Sequence, residues 1–264
     1  MNAPVNEPKG RRRKFYGWGY EGQEIPESEI KSMQARVAQR LGMNDFTIVK
    51  DPTLDEIELR APRITPPASL ASFCTTEKWD RVAHTYGKSF RDLAMIYKRE
   101  YPNPPDIVAY PRDEKDIAAL LDWCGDNGYA AVPFGGGSSV TGGINPPNDS
   151  RYKGIITIDL ENLNRVLEVD PISRAARIQG GTFGPSLEEQ LKPHGFTLRH
   201  IPQSWEFSSL GGWIATRSSG HRPEQSRTAD CLLPAPVRIP IAPSSVRKVR
   251  LESSPRRGCG CRGA

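Results

Sequence analysis

Apolar residues recur along this chain with two periods. Ile30, Met33, Val37 and Leu41 fall three, four and four positions apart, the spacing of one helix face. They predict a helix over 28–41, started by Ser28 and stopped at Gly42. Residues 51–67 are proline-rich and read as a connector. A second helical stretch spans 79–101 in two pieces broken near Gly87, with Phe90, Leu93, Ala94 and Tyr97 lining a face of the second piece. The pattern then becomes β-α-β. Asp106-Ile107-Val108-Ala109-Tyr110 reads as a strand. A helix starts near Asp113, with Asp113 and Glu114 favourable at its positive end. Ile117, Leu120, Leu121 and Cys124 form its apolar stripe, and Asn127-Gly128 ends it. Residues 129–134 form the next strand. Strand-like runs at 155–160, 166–169 and 175–178, separated by turn-prone residues, predict an antiparallel meander closed by Gly180-Gly181-Thr182. Short helices are expected at 185–191, stopped before Pro193, and at 210–216.

The strand at 129–134 runs straight into Pro133-Phe134-Gly135-Gly136-Gly137-Ser138-Ser139-Val140-Thr141-Gly142-Gly143. Glycines let a backbone come close to a ligand and adopt positive φ. Successive N–H groups in such a turn form a concave anion site, and Ser138 and Ser139 add hydroxyl donors. Phosphate or pyrophosphate is the natural guest. The loop lies at the carboxyl end of a strand in a β-α-β unit, where ligands commonly bind. It fits neither familiar phosphate loop. Val140 stands where a dinucleotide fingerprint needs a third small residue, Pro146 and Pro147 oppose a following helix, and no lysine lies within the stretch. A purely structural glycine turn therefore competes with the binding reading.

A second donor-rich stretch tilts the balance towards binding. Pro202-Gln203-Ser204-Trp205-Glu206-Phe207-Ser208 precedes the helix at 210–216, where Gly211 and Gly212 permit close approach. Thr216-Arg217-Ser218-Ser219 adds further donors. Two such segments suit one long polar ligand lying between two sub-domains.

Composition adjusts this picture at the ends. The net charge of +5 resides in residues 222–264, which hold nine Lys/Arg and three Asp/Glu, while residues 1–221 hold 27 and 28. The same 43 residues contain six prolines and none of the chain's aromatics, so they are expected to be disordered. A basic tail raises a nucleic-acid reading, but without aromatics it offers no stacking platform for bases. Arg11-Arg12-Arg13-Lys14 could touch phosphate, although a short charge run is usually solvated. Phe15-Tyr16-Gly17-Trp18-Gly19-Tyr20 is expected to anchor on the domain without forming a helix. No apolar run reaches the roughly 20 residues a membrane helix needs, and no signal peptide is visible, so a cytoplasmic protein is expected. The five cysteines form no disulfide framework. The four histidines, His84, His194, His200 and His221, lack metal-ligand spacing and read as structural, with His200 nearest to the second loop. Cys259-Gly260-Cys261 with Cys231 gives only one tight pair, short of the usual zinc pattern, so no metal site is expected.

Taken together, the segment at 15–20, the Pro104-Pro105-Asp106-Ile107-Val108 stretch, the 133–140 loop and the 202–220 segment resemble the FAD-binding portion of the vanillyl-alcohol-oxidase/p-cresol-methylhydroxylase flavoproteins. Within that superfamily they resemble the alkyldihydroxyacetonephosphate synthase family, over roughly residues 14–220. The resemblance implies an α+β fold: a PCMH-type FAD-binding domain of two α/β sub-domains, preceded by a helical segment. Residues 1–103 would form the arm and helical segment, 104–221 an incomplete FAD-binding domain, and 222–264 the tail. The resemblance implies that Pro133 to Ser139 wrap the FAD pyrophosphate, that Pro202 to Ser208 make a second FAD contact, and that Thr216 to Ser219 make a third nearer the flavin. Superfamily members that attach flavin covalently use a histidine in the first loop. None is present here, so non-covalent FAD is expected.

In that family the flavin holds a lipid-precursor substrate while an acyl group on dihydroxyacetone phosphate is exchanged for an alkyl group. Other superfamily members oxidise hydroxy acids, the alternative expectation. A third is a non-catalytic fragment whose basic tail binds nucleic acid. The resemblance also implies a substrate-binding cap domain and admits a homodimer. The cap would carry the catalytic groups, and none is assigned in this chain. The family-like pattern stops at His221, an abrupt change of the kind that a truncation or shifted reading frame produces.

Overall fold

The computed structural model describes residues 12–43 and 48–218, together with short strands at 246–250 and 252–253. Three helices come first: α1 (Glu27–Leu41), α2 (Lys78–Ala83) and α3 (Phe90–Tyr97). α1 ends at Gly42, whose φ of 64° provides the left-handed cap, and its N–H returns to the Ala38 carbonyl. Its start differs from expectation. Pro26 occupies the N-cap, and Ser28 lies in the first turn without capping. The apolar stripe is real, yet no residue of α1 is buried, and Leu41 is 61% exposed. The break between α2 and α3 falls at Gly87 as expected. Ser89 caps α3 and accepts from the Asp92 N–H at 3.0 Å. The buried face of α3 carries Asp92 and Ile96, whereas Phe90 is 89% exposed. Periodicity alone could not rank these faces, because Phe90 sits in the first turn, beyond the core of Phe15, Ile57, Val82, Ile96 and Tyr101.

The first sheet has the order β1-β2-β4-β3, from strands β1 (Cys74–Thr75), β2 (Ile107–Ala109), β3 (Ala130–Phe134) and β4 (Ile155–Asp159). β2, β4 and β3 are parallel, and β1 is antiparallel to β2. Helix α4 (Glu114–Asn127) makes the crossover. The Asp113 carboxylate accepts from the N–H groups of Lys115 and Asp116 at its start, and Gly128 (φ 70°) closes its end. Its stripe of Leu120 and Cys124 packs on Ile107, Ala109, Ile156 and Ile158. At roughly 25 cal/mol per Å² of apolar surface, each fully buried aliphatic side chain contributes about 2 kcal/mol.

β4 departs from the expected meander. All five of its residues are buried, and it lies between β2 and β3. A strand covered on both faces reads as a continuous apolar run rather than an alternation, and Ile155-Ile156-Thr157-Ile158 is such a run. Pro133 is accommodated because β3 is an edge strand, where a missing N–H breaks no ladder.

The second sub-domain keeps the rest of the meander. β5 (Val166–Asp170) and β6 (Ala175–Gln179) are antiparallel. Helices α5 (Gly184–Leu191) and α6 (Leu210–Thr216) cover them through Ala176, Ile178, Leu187, Leu191, Leu210 and Trp213. β7 (Phe196–Thr197) follows α5. β8 (Val246–Arg250) pairs with β6, and β9 (Glu252–Ser253) pairs with β7. These last two strands come from the stretch read as tail. The remainder of that expectation lies outside the described residues. No helix among the described residues is long and apolar enough to cross a membrane.

Asp106 ties the first sheet to the N-terminal region. Its fully buried carboxylate accepts from the Arg63 N–H at 2.9 Å, the Arg63 guanidinium at 2.6 Å, the Ile155 N–H at 2.9 Å and the Arg60 guanidinium. Burial works to raise its pKa, but the Arg63 and Arg60 contacts and the two backbone donors overcome burial and hold it at about 2. A depressed folded value means that this stabilisation is complete above the ordinary carboxylate range. It is lost as pH falls from about 4 through about 2. Asp106→Asn should cost on the order of 3 kcal/mol at pH 7, because two guanidiniums lose their partner. Urea unfolding at pH 7 and pH 3 should show this difference shrinking at the lower pH.

Candidate functional site

The carboxyl ends of the three parallel strands converge. Tyr110 follows β2, Phe134 ends β3 and Asp159 ends β4, with Phe134 and Asp159 in register. All three line a cavity of about 320 Å³. The glycine loop contributes Gly136 and Gly137, the second loop Phe207, and the N-terminal arm Arg12 to Lys14 and Gly17 to Gly19. Trp79, Asp80 and Ala83 from α2 and His84 at its C-cap, with Tyr86, Lys88 and Glu161, complete the lining.

The two predicted loops meet directly. A Cβ at Gly136 would overlap the Phe207 carbonyl, and one at Gly135 would overlap the Ser209 hydroxyl. Gly137 adopts φ 70°, with Phe134 beneath it. These glycines therefore let one loop backbone lie against the other, a role distinct from admitting a ligand. The second loop is braced in turn. The Ser208 hydroxyl donates to the Ser204 carbonyl at 2.8 Å and accepts from the Trp213 indole at 2.7 Å, while Trp205 packs against Gly184.

Of the residues anticipated as cofactor contacts, Phe134, Gly136, Gly137 and Phe207 line the cavity. Pro133 is exposed in β3. Gly135, Ser138 and Ser139 do not line the cavity, and the Ser139 hydroxyl accepts from the Gly143 N–H at 3.2 Å. Pro202, Gln203, Ser204 and Glu206 do not line the cavity; Pro202 and Ser204 are half-buried, and Gln203 and Glu206 are exposed. The third segment caps α6. The Thr216 hydroxyl bonds the Gly212 carbonyl, Arg217 adopts φ 54°, and the Ser218 N–H returns to Trp213. Ser219 lies outside the described residues.

The sequence reading missed much of the lining. Within the basic run Lys14 is buried, its ammonium bonding the Gln23 carbonyl at 2.6 Å, while Arg12 is exposed and stacks over Trp79 at 4.1 Å, and Arg11 lies outside the described residues. The Arg13 guanidinium approaches the Gly135 carbonyl at 3.4 Å and Glu161 at 3.8 Å. The segment at 15–20 does anchor as expected, with Trp18 and Tyr20 flanking Phe207 at 5.7 and 5.5 Å. Among the described residues His84, not His200, lines the cavity. His200 packs on Trp213 at 5.1 Å.

His84 is buried, with Nδ1 2.7 Å from the Asp80 carbonyl and Nε2 2.8 Å from the Asp159 carboxylate. A carbonyl oxygen only accepts, so Nδ1 is the donor to Asp80, and the ring is fixed between Asp80 and Asp159. Tyr110 donates to the Asp80 carboxylate at 2.7 Å, and burial followed by this bond raises its pKa well above that of a free phenol. Asp80 and Asp159 are thus engaged by the protein itself. Burial and the neighbouring Arg13 charge push the Lys88 ammonium down to about 8.

The residues present fit a dinucleotide flavin in part. A cationic rim, close-approach glycines and aromatic faces at Trp18, Trp79 and Phe207 suit an anionic linker joined to flat rings. A cavity of this size admits only a portion of such a molecule.

The FAD binding domain family matches residues 105–237. An alkyldihydroxyacetonephosphate synthase of Dictyostelium discoideum is 40% identical over 149 residues, which is 56% of this chain and 24% of that protein. The chain thus spans about a quarter of that curated relative's length. A solved structure of alkyldihydroxyacetonephosphate synthase superposes with a TM-score of 0.67 at 29% identity, covering 79% of this chain and 44% of the other. A D-2-hydroxyglutarate dehydrogenase of Pantoea ananatis is 31% identical over 119 residues, 44% of this chain and 11% of that protein.

Two substitutions test the geometry. Gly136→Ala forces a backbone carbonyl to move and should lower the urea midpoint by the equivalent of about 1–3 kcal/mol, since carbonyl atoms cannot rotate away as a side chain can. Gly143→Ala, whose Cβ would meet only side-chain atoms at 3.6 and 3.8 Å, should stay within about 1 kcal/mol. Separately, His84→Leu leaves the buried Asp159 without its main partner and should cost on the order of 3 kcal/mol in the same assay.

Proposed function

The chain belongs to the FAD binding domain family, and we propose that it binds FAD non-covalently as the cofactor-binding part of an alkyldihydroxyacetonephosphate-synthase-type flavoprotein. One observation carries this reading. The glycine loop, the second loop and the N-terminal arm, far apart in sequence, meet at the carboxyl ends of the parallel strands around one cationic, aromatic-lined cavity. The loop's N–H groups and those of the second loop hold the cofactor, with Pro133 to Ser139 on the pyrophosphate, Pro202 to Ser208 beside it and Thr216 to Ser219 towards the flavin. The glycine loop contains no histidine, which supports non-covalent attachment. When bound, the flavin supplies an electrophilic N5 at which a substrate is held or a hydride accepted. This chain's share is to position the cofactor, screen its charge and exclude water.

On this reading the substrate is a lipid precursor, dihydroxyacetone phosphate carrying an acyl group that is exchanged for an alkyl group. The protein acts in the cytoplasm and admits a homodimer. The likeness to the synthases favours this substrate class, because the solved synthase covers 79% of the chain and so extends beyond the matched FAD binding domain. The 2-hydroxyglutarate dehydrogenase likeness covers 44% and supports hydroxy-acid oxidation as a second reading.

A visible absorption spectrum of the full chain, titrated with FAD and then gel-filtered, decides the first point. We expect retained flavin bands that are released on denaturation. A folded chain that retains no flavin overturns the proposal, and colour that stays with the denatured chain overturns non-covalent attachment. Bleaching of bound flavin by D-2-hydroxyglutarate or D-lactate would select the second reading.

A further inference from the structure

The glycine loop lacks the lysine that phosphate loops of the Gly-Lys-Ser/Thr type place beside their glycines. The chain does contain that tripeptide elsewhere, as Gly87-Lys88-Ser89 between α2 and α3. The fold brings the two together. The Lys88 N–H donates to the Ser139 carbonyl at 2.7 Å, and a Cβ at Gly87 would overlap the same carbonyl. Asn145 fastens the junction: it accepts from the Gly87 N–H at 3.3 Å and donates to Asp92 at 2.7 Å. Gly87 is therefore required for the segment to lie against the glycine loop.

Lys88 lines the cavity with Gly136 and Gly137. The other cations there are already occupied. Lys14 pairs with Glu24 at 3.2 Å, Arg13 faces Gly135, Asp159 and Glu161, and Arg12 covers Trp79. Lys88 makes no side-chain hydrogen bond or ion pair among the described residues. Burial and then Arg13 lower its pKa against a smaller opposing pull from Asp92, so a bound anion would compensate it further. Ser89 is committed to capping α3, so the segment offers a lysine without a free hydroxyl.

We infer that Lys88 is the cationic partner of the dinucleotide's pyrophosphate, supplied to the glycine loop from an earlier segment of the chain. This rests on the FAD reading above and deepens it, making the phosphate site a composite of two segments. The backbone N–H groups provide the cradle, and Lys88 provides the charge.

The test is an FAD titration of the full chain, followed by flavin fluorescence, for wild type, Lys88→Met and Lys88→Arg, with thermal melts of each protein without FAD. A charge-assisted hydrogen bond of ordinary strength predicts about 10- to 100-fold weaker binding by Lys88→Met. Lys88→Arg should stay within about threefold of wild type, and the ligand-free melt of Lys88→Met should lie at or above that of wild type. Equal affinity of Lys88→Met and wild type overturns the inference while leaving FAD binding intact. So does an arginine variant as weak as the methionine variant, which marks a structural role. Absence of FAD binding by wild type overturns both readings. Should Lys88→Met fail to fold, the wild-type protein serves: acetylation of Lys88, followed by mass spectrometry, should slow at least several-fold with FAD and with inorganic pyrophosphate. An unchanged rate with both overturns the inference.

Discussion

The structure depends on backbone segments approaching more closely than any side chain allows. The Phe207 carbonyl occupies the place where Gly136 would carry a Cβ, and the Ser139 carbonyl does the same at Gly87. A third such contact joins the sub-domains, where a Cβ on Gly181 would overlap the Leu160 carbonyl. Each contact fixes one segment against another without an intervening layer of side chains. Glycine loses more entropy on folding than other residues, so these positions weaken the fold locally and gain proximity in return. That exchange is useful where a wall must be thin and its N–H groups must face a ligand.

Charge is divided in a related way. The carboxylates at the base of the site are engaged by the protein: Asp159 by His84, Asp80 by Tyr110, and the more remote Asp106 by Arg60 and Arg63. They close the ends of the strands and satisfy groups that burial would otherwise strand. Of the cations facing the cavity, Lys88 makes no ion pair among the described residues, and the Asp92 charge offsets only part of the effect of its burial. A cleft whose acidic groups are internally paired presents a net positive interior although residues 1–221 carry slightly more acid than base. The local sign is set by which charges the fold uses, not by composition.

Local structure was legible to the degree that a local cause determined it. Helix α4 was readable because Asp113, its apolar stripe and Gly128 all sit within its own span. The glycine loop and the second loop were readable as a pair because their donors and glycines are unusual in composition. The sheet membership of β4 was not. An apolar run of five buried residues fits a central parallel strand as well as a meander, and the choice lies with strands far away in sequence. Lys88 and His84 were hidden for the same reason. Each looks ordinary among its neighbours and gains its meaning only when α2 is laid beside the end of β4. The Gly87-Lys88-Ser89 tripeptide is the one local signal, and it lies far from the glycine loop in sequence. The stripe on α1 shows the opposite case: its periodicity is correct for a helix, while its burial depends on contacts absent among the described residues.

This arrangement also couples ligand and stability. A desolvated, unpaired ammonium raises the free energy of the folded chain, as its pKa of about 8 reflects. The unfolded chain solvates the same lysine freely, so between pH 8 and the ordinary lysine range the unfolded state binds more protons, and folding gains stability as pH rises. An anion bound beside Lys88 acts on the folded state alone. It stabilises by mass action and, in addition, returns Lys88 towards its ordinary protonation. The alkaline gain in stability therefore belongs to the ligand-free chain and shrinks when the anion is present. A site that withholds a counter-ion from its own cation thus holds the folded chain slightly less stable than it could be, the usual cost of a functional constellation. The glycine contacts add to that cost by thinning the wall around the same point. Both features weaken the empty fold in the one place where a phosphate-bearing cofactor would strengthen it.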